Sequence, residues 1–221
     1  SGAATITGNQ FTGAGIEYYG SSGSGTISEN DLSGAGISVS TGGSALVTVR
    51  GNSIHDTSIG INAISSNRCI IVDNEIRHTD VGIRAGEGST VTGNTVSFSG
   101  TGIATFAGYS WWDYGNSAVI DGNRVFANSV GIAASQWSSV TNNSVYSNSI
   151  GIDTNYYFCG SIANNLVYAN TNTGIRNMSG GGSPRIVNNT IYQPVGDAIA
   201  LSNGGEKIVE NNIIQVDAGY A

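Results

Sequence analysis

The sequence predicts an all-β solenoid of about ten stacked coils, and three observations carry that prediction. One phrase, an apolar residue, two variable positions, Asn, one variable position and a second apolar residue, recurs along the chain, with Gly-Ile shortly after it. Its Asn anchors are Asn9, Asn30, Asn52, Asn74, Asn94, Asn123, Asn143, Asn165, Asn189 and Asn211, at spacings of 21, 22, 22, 20, 29, 20, 22, 24 and 22 residues. A period near 22 is too long for a heptad and too short for a helix pair, which leaves one supersecondary unit per repeat stacked on its neighbours. Composition agrees: there are 33 glycines, only 10% of residues are charged, and no apolar run follows a 3.6-residue period.

Within each coil the apolar residues fall three before the anchor (Ile6, Ile27, Val49, Ile71, Val91, Ile120, Val140, Ile162, Ile186, Ile208) and two after it (Phe11, Leu32, Ile54, Ile76, Val96, Val125, Val145, Val167, Ile191, Ile213). Most are β-branched, as strands prefer. Each coil therefore reads as two or three short strands with apolar side chains inward and Ser, Thr, Asn and Gly at the bends. The anchor Asn is expected at a turn. Its amide can bond the same amide one coil above and below, and Asn tolerates left-handed backbone angles. With strands about 4.8 Å apart, the coils would make a rod roughly 45–50 Å long.

The phrase apolar-x-x-Asn-x-apolar followed by Gly-Ile resembles the repeat of the right-handed parallel β-helix of the pectate-lyase-like superfamily, from Ile6 to about Tyr220. The resemblance implies the fold. It leaves activity open, because that superfamily includes lyases, hydrolases, epimerases, phage tailspikes, adhesins and sugar-binding modules.

No composition shift marks a linker, so residues 1–221 are expected to form a single domain. Neither end carries a convincing cap, and the segment is expected to be one module of a larger protein. It contains no charged-then-apolar leader and no apolar run near 18 residues, so neither a signal peptide nor a membrane span is predicted in it. Eight Lys and Arg stand against fifteen Asp and Glu, a net charge of −7, which argues against nucleic acid as a partner. Cys69 and Cys159 lie in the same sector of the coil but four coils apart. At about 19 Å they are too far apart to bridge, since bonded pairs need Cα atoms within roughly 7 Å. Each is expected to be a small buried residue.

The 29-residue interval between Asn94 and Asn123 breaks the rhythm, and it holds Tyr-Ser-Trp-Trp-Asp-Tyr. Aligned on Gly-Ile, the turn after Ile103 carries Phe106, Tyr109, Trp111, Trp112 and Tyr114. The turn after Ile132 carries Trp137, and the turn after Ile152 carries Tyr156, Tyr157 and Phe158. Nine of the chain's eighteen aromatics, every Trp among them, are thus expected on one flank of three adjacent coils. The C–H face of a pyranose lies flat on indole or phenol, while rim hydroxyls need polar neighbours such as Asp113, Asn116, Gln136, Asp153 and Asn155. A second column, Phe126, Tyr146, Tyr168 and Tyr192, stands three residues after the anchors. It reads as an external aromatic ladder that stabilises the sheet.

Both histidines fall in consecutive coils, with His55 stacking on Arg77 and Asp56 on His78. A base, an acid and a guanidinium in one small area could abstract a proton α to a carboxylate or protonate a leaving group. The superfamily's polygalacturonase-like signature is missing, for His78-Thr79-Asp80 matches it only in part and no Asp-Asp pair occurs. Paired acids for a hydrolase would be Asp113 with Asp153. Asp153 and Arg176, one coil apart at the same position, are expected to form a surface ion pair.

The function expected from the sequence is a non-catalytic carbohydrate-binding module, similar to β-helical modules that bind xylan, attached to a secreted bacterial enzyme acting on plant cell-wall polysaccharide. Trp111, Trp112, Tyr114 and Trp137 would stack on sugar rings, Tyr109, Tyr156 and Tyr157 would extend the platform, and Asp113, Gln136 and Asp153 would bond hydroxyls. The partners are a polysaccharide and a neighbouring catalytic domain, and no cofactor or metal is expected. Two alternatives stay open: a lyase or hydrolase using His55, Arg77 and His78, and a structural segment of a surface adhesin.

Overall fold

The computed structural model describes residues 3–66, 68–106, 117–154, 157–178 and 181–219. Among them the only regular elements are strands, each paired in parallel with its counterpart one coil away. Strands just before the anchors, from Ala4–Thr7 to Ile208–Glu210, form one ten-stranded sheet. Strands just after them stack likewise, beginning with Gln10–Thr12 on Asp31–Ser33, and so do those at the Gly-Ile step, beginning with Ile16–Gly20 on Ile37–Thr41. In the third and fourth coils the last two segments run together as Ser53–Ser66 and Glu75–Ala85. The chain is a parallel β-helix, as the period requires.

Exact register makes the core. Leu32 pairs with Ile54, Ile54 with Ile76 and Ile76 with Val96, and all four are fully buried. Each such branched side chain contributes about 1.5–3 kcal/mol by leaving water. The Gly of Gly-Ile is required by close approach. At Gly102 an added Cβ would come within 2.6 Å of both the Gly131 carbonyl oxygen and a Val125 methyl.

The anchors form a buried ladder. Asn30 Nδ2 donates to Asn52 Oδ1, Asn52 to Asn74 and Asn74 to Asn94, at 3.0, 2.9 and 2.9 Å, and each backbone N–H donates to the same acceptor. Two expectations need correction. The left-handed residue is not the ladder Asn but the one before it: Glu29, Asp73, Asn142, Asn164 and Asn188 have φ of 55–58°, with Gly8, Gly51, Gly93 and Gly122 at the same place in other coils. Bending the chain one residue early turns the Asn side chain inward, where its donors and acceptor can all be met. The second correction is at the last coil, where Asn189 donates to Asn212 at 2.9 Å, while Asn211 is the left-handed residue. Val209 and Ile214 are therefore the inward counterparts of Ile186 and Ile191, and Ile213, expected inside, is 70% exposed.

A second ladder, absent from the sequence reading, runs five residues after the anchors. Asn128 donates to Asn148 and Asn148 to Asn170, and the N–H of Asn170 meets Gln193 Oε1 at 3.0 Å. Ser99 continues it, its backbone N–H donating to Asn128 Oδ1 and its hydroxyl bonding that of Thr79. Its signal was the recurrence of Asn at anchor plus five in three successive coils.

Candidate functional site

The strands Thr101–Thr105, Val130–Ala134 and Ile150–Thr154 are in register, Ile103 on Ile132 on Ile152. The turns that follow them start from one point of three adjacent coils. Trp137 and Tyr157 are 42% and 41% exposed there, and Phe106 is 40% exposed with the Arg84 guanidinium carbon 5.8 Å from its ring centre. Gln136 and Tyr157 both have positive φ, 41° and 56°. Left-handed residues recur at the bends of most coils, so these angles shape the turns that carry the two side chains.

Tyr109, Trp111, Trp112, Asp113, Tyr114 and Tyr156 lie outside the described residues, as do Asn116 and Asn155. Phe158, grouped by sequence with the outer aromatics, is fully buried in the core. The left-handed turn at Tyr157 sends the next side chain inward, so the two neighbours part company. The Tyr157 ring lies beside the backbone of the next coil: a Cβ on Gly181 would be 2.4 Å from its Cε1.

Asp153 is held by Arg176 through two parallel bonds, Nε to Oδ1 at 2.9 Å and an outer nitrogen to Oδ2 at 2.6 Å. The bond from the carboxylate raises the Arg176 pKa further. Both oxygens of Asp153 therefore already accept a hydrogen bond from the protein, and each can offer a sugar hydroxyl only a remaining lone pair. Outward positions between Arg84 and Asp153 are the small residues Ala104 and Ala133.

The column of rings after the anchors is a ladder. Phe126 and Tyr146 stack with centroids 5.0 Å apart, and Tyr146 and Tyr168 with centroids 4.8 Å apart. Phe98 adds an edge-on contact at 6.0 Å, and Arg124 covers Phe126 at 4.7 Å while donating to the Tyr146 hydroxyl. Faces used against one another are not free for a ligand, so this column stabilises the coil.

The predicted acid–base group assembles as the spacing implied. Arg77 pairs with His55 in register, His55 Nδ1 lies 2.7 Å from Asp56 Oδ2, and His78 Nδ1 lies 3.6 Å from Asp56 Oδ1. Asp31, from the coil before, stands 3.8 Å from His55 Nε2. The hydrogen bond with His55 holds the Asp56 carboxyl below its usual range. Asp56 and His78 are both left-handed, at 57° and 53°, which brings them to one corner.

Among known families, the right-handed beta helix region matches residues 1–150, and the periplasmic copper-binding protein (NosD) matches residues 85–221. A comparison with curated proteins returns no match. Among solved structures, the A-module of the Azotobacter vinelandii mannuronan C-5 epimerase is similar at 13% identity and a TM-score of 0.47, over 98% of this chain and 79% of that one. Copper needs imidazole or soft sulfur donors. Residues 85–221 contain no His, one Cys and one Met, and among the described residues no three His, Cys, Asp or Glu side chains come together as a metal site. The residues present do not fit copper.

Proposed function

The chain belongs to the right-handed β-helix family and to the NosD family, and on that premise we propose that it is a non-catalytic carbohydrate-binding module for a neutral, xylan-like cell-wall polysaccharide. The observation that carries this reading is the placement of Trp137 and Tyr157, exposed on adjacent coils at one point, beside the chain's only long interval. Rigid aromatic faces with a few polar groups suit a sugar ring, and a net charge of −7 disfavours a polyanion held by charge alone. Trp111, Trp112, Tyr109, Tyr114 and Tyr156 would complete the platform, with Gln136 and Asp113 bonding hydroxyls. The proposed setting is outside the cytoplasm, in line with the periplasmic name of the second matching family, and next to a catalytic domain. Affinity electrophoresis in gels containing xylan, cellulose derivatives or pectin tests it. Retardation by xylan is expected, lost in Trp137→Ala and in a Trp111→Ala/Trp112→Ala double variant; unretarded migration in every gel rejects it.

A second reading, a polysaccharide lyase or hydrolase, is favoured by the Asp31, His55, Asp56 and His78 chain beside Arg77. It requires unsaturated or reducing ends to appear on long incubation and to vanish in His78→Ala.

A further inference from the structure

We infer that Asn203 is a site of spontaneous chemical modification, a deamidation by which the chain ages into a more acidic form. It is the chain's only asparagine followed by glycine. It stands in the bend between the strands Asp197–Leu201 and Ile208–Glu210, where residues 203–206 are all exposed. Among the described residues no hydrogen bond holds its side-chain amide, and the Gly204 N–H donates to no backbone carbonyl. Gly204 and Gly205 have φ of 104° and 69°, angles that glycine takes without strain.

The reaction needs what this bend supplies. The Gly204 nitrogen, giving its proton to a base in solvent, attacks Cγ of Asn203. The bond from Cγ to the amide nitrogen breaks, and that nitrogen takes a proton from water and leaves as ammonia. A five-membered succinimide ring remains. Water then opens the ring at either carbonyl, leaving aspartate or, where the chain now runs through the side-chain carbon, isoaspartate. Nothing is oxidised or reduced, and water is the only co-reactant. A side chain on residue 204 would crowd the attacking nitrogen, and glycine has none.

The stacked register spares the ladder asparagines. Asn189 is buried, and its Nδ2 donates to the Ile162 and Val187 carbonyls and to Asn212 Oδ1 at 2.9, 3.2 and 2.9 Å. The nitrogen that would attack it is also committed, since the Thr190 N–H donates to the Asn165 carbonyl. Ser53 and Glu75, which follow Asn52 and Asn74, are bonded in the same way to the coil before. Asn203 lies outside this scheme, in a bend that the repeat does not constrain. Each event there adds one negative charge to a chain already at −7. An isoaspartyl link also lengthens the main chain beside Gly205, which lies so close to the neighbouring coil that a Cβ there would stand 2.0 Å from the Gly182 carbonyl oxygen.

The site is independent of the corner at Trp137, and its test uses no sugar. Purified protein is kept at mildly alkaline pH and body temperature, then followed by isoelectric focusing and by tandem mass spectrometry of the tryptic peptide Ile186–Lys207, which holds Asn188, Asn189 and Asn203. One more acidic band should grow with time. The mass gain of an amide-to-carboxylate exchange should fall on Asn203 while Asn189 stays unchanged, and the aged protein should become a substrate for an isoaspartate-specific carboxyl methyltransferase. Asn203→Ser, a change at an exposed position that leaves the fold intact, should abolish both the band and the methylation. An acidic band that persists in Asn203→Ser overturns the inference, and so does an unaltered Asn203 after another asparagine has converted or no acidic band at all.

Discussion

The side-chain amide of Asn94 donates to Oδ1 of Asn123 at 3.0 Å although they are 29 residues apart, the same contact that links anchors 20–24 residues apart elsewhere. Thr90 still pairs with Val119 beneath it. The pairing of the coils on either side of the long interval is therefore the same as elsewhere in the chain. Replacing residues 107–116 with a two-residue Gly-Ser link is expected to keep the thermal midpoint within a few degrees while abolishing xylan retardation. Calorimetry beside affinity electrophoresis reads both.

Asn123 accepts from the N–H and Nδ2 of Asn94 and donates to Val91, Asp121 and Asn143. Asn94 Nδ2 also donates to the Ile71 and Thr92 carbonyls, so Asn123→Ala would leave the buried Asn94 N–H unmet and take the Asn123 amide from the Val91 and Asp121 carbonyls, and urea unfolding should show a loss of about 2–4 kcal/mol. Asn9 is exposed and donates to Asn30 from the solvent side of the ladder. Asn9→Ala should cost under about 1 kcal/mol.

The Asp153 and Arg176 side chains are 23% and 35% exposed, so their bidentate bond is partly screened. A double-mutant cycle with Asp153→Ala and Arg176→Ala should give a coupling of about 0.2–1 kcal/mol. Asp153→Asn should reduce xylan retardation less than Trp137→Ala does, because its oxygens are already engaged.

Burial pushes the Cys69 thiol up to about 12 from its ordinary 9.0. A raised folded pKa means that the stabilisation is present below the unfolded value and lost as pH rises through the folded one. Urea midpoints should therefore fall between pH 9.0 and about 12, and Cys69→Ala should flatten that slope. Iodoacetamide on the native protein should label Cys159, which is only partly buried, and spare Cys69.

Asp56 has the opposite sign. Its carboxyl is lowered from an ordinary 3.8 by the His55 bond, so its contribution is present above that value and lost as pH falls through the lower folded one. Asp56→Asn, which tolerates the φ of 57°, should remove that part of the acid transition. Circular dichroism from pH 5 to 2 measures it.

Most of the fold was legible because a stacked coil repeats its own chemistry. Asn at anchor, apolar at minus three and plus two, and Gly before Ile each report a local need, and those needs recur. Asn211 was mistaken for Asn212 because both neighbours are Asn; in the doublets Asn142-Asn143, Asn164-Asn165 and Asn188-Asn189 the second member is the ladder residue, and that pattern would have corrected it. The site was less legible. Phe158 and Tyr157 are adjacent and aromatic, and only the backbone angle between them decides which packs inside.

By itself the sequence determined the parallel β-helix, its approximate coil count, the inward residues of all but the last coil's anchor phrase and the stacking of His55 on Arg77, since these follow from the spacing of the repeat. Spacing anticipated the pairing of Asp153 with Arg176, but only the tertiary structure decided which atoms are satisfied: the guanidinium takes both Asp153 oxygens, while the oxygen of Asn62 and the Nε of Arg84 have no hydrogen-bond partner. Spacing fixes which side chains are neighbours, but hydrogen bonding depends on rotamer and burial, and these emerge when the coils stack.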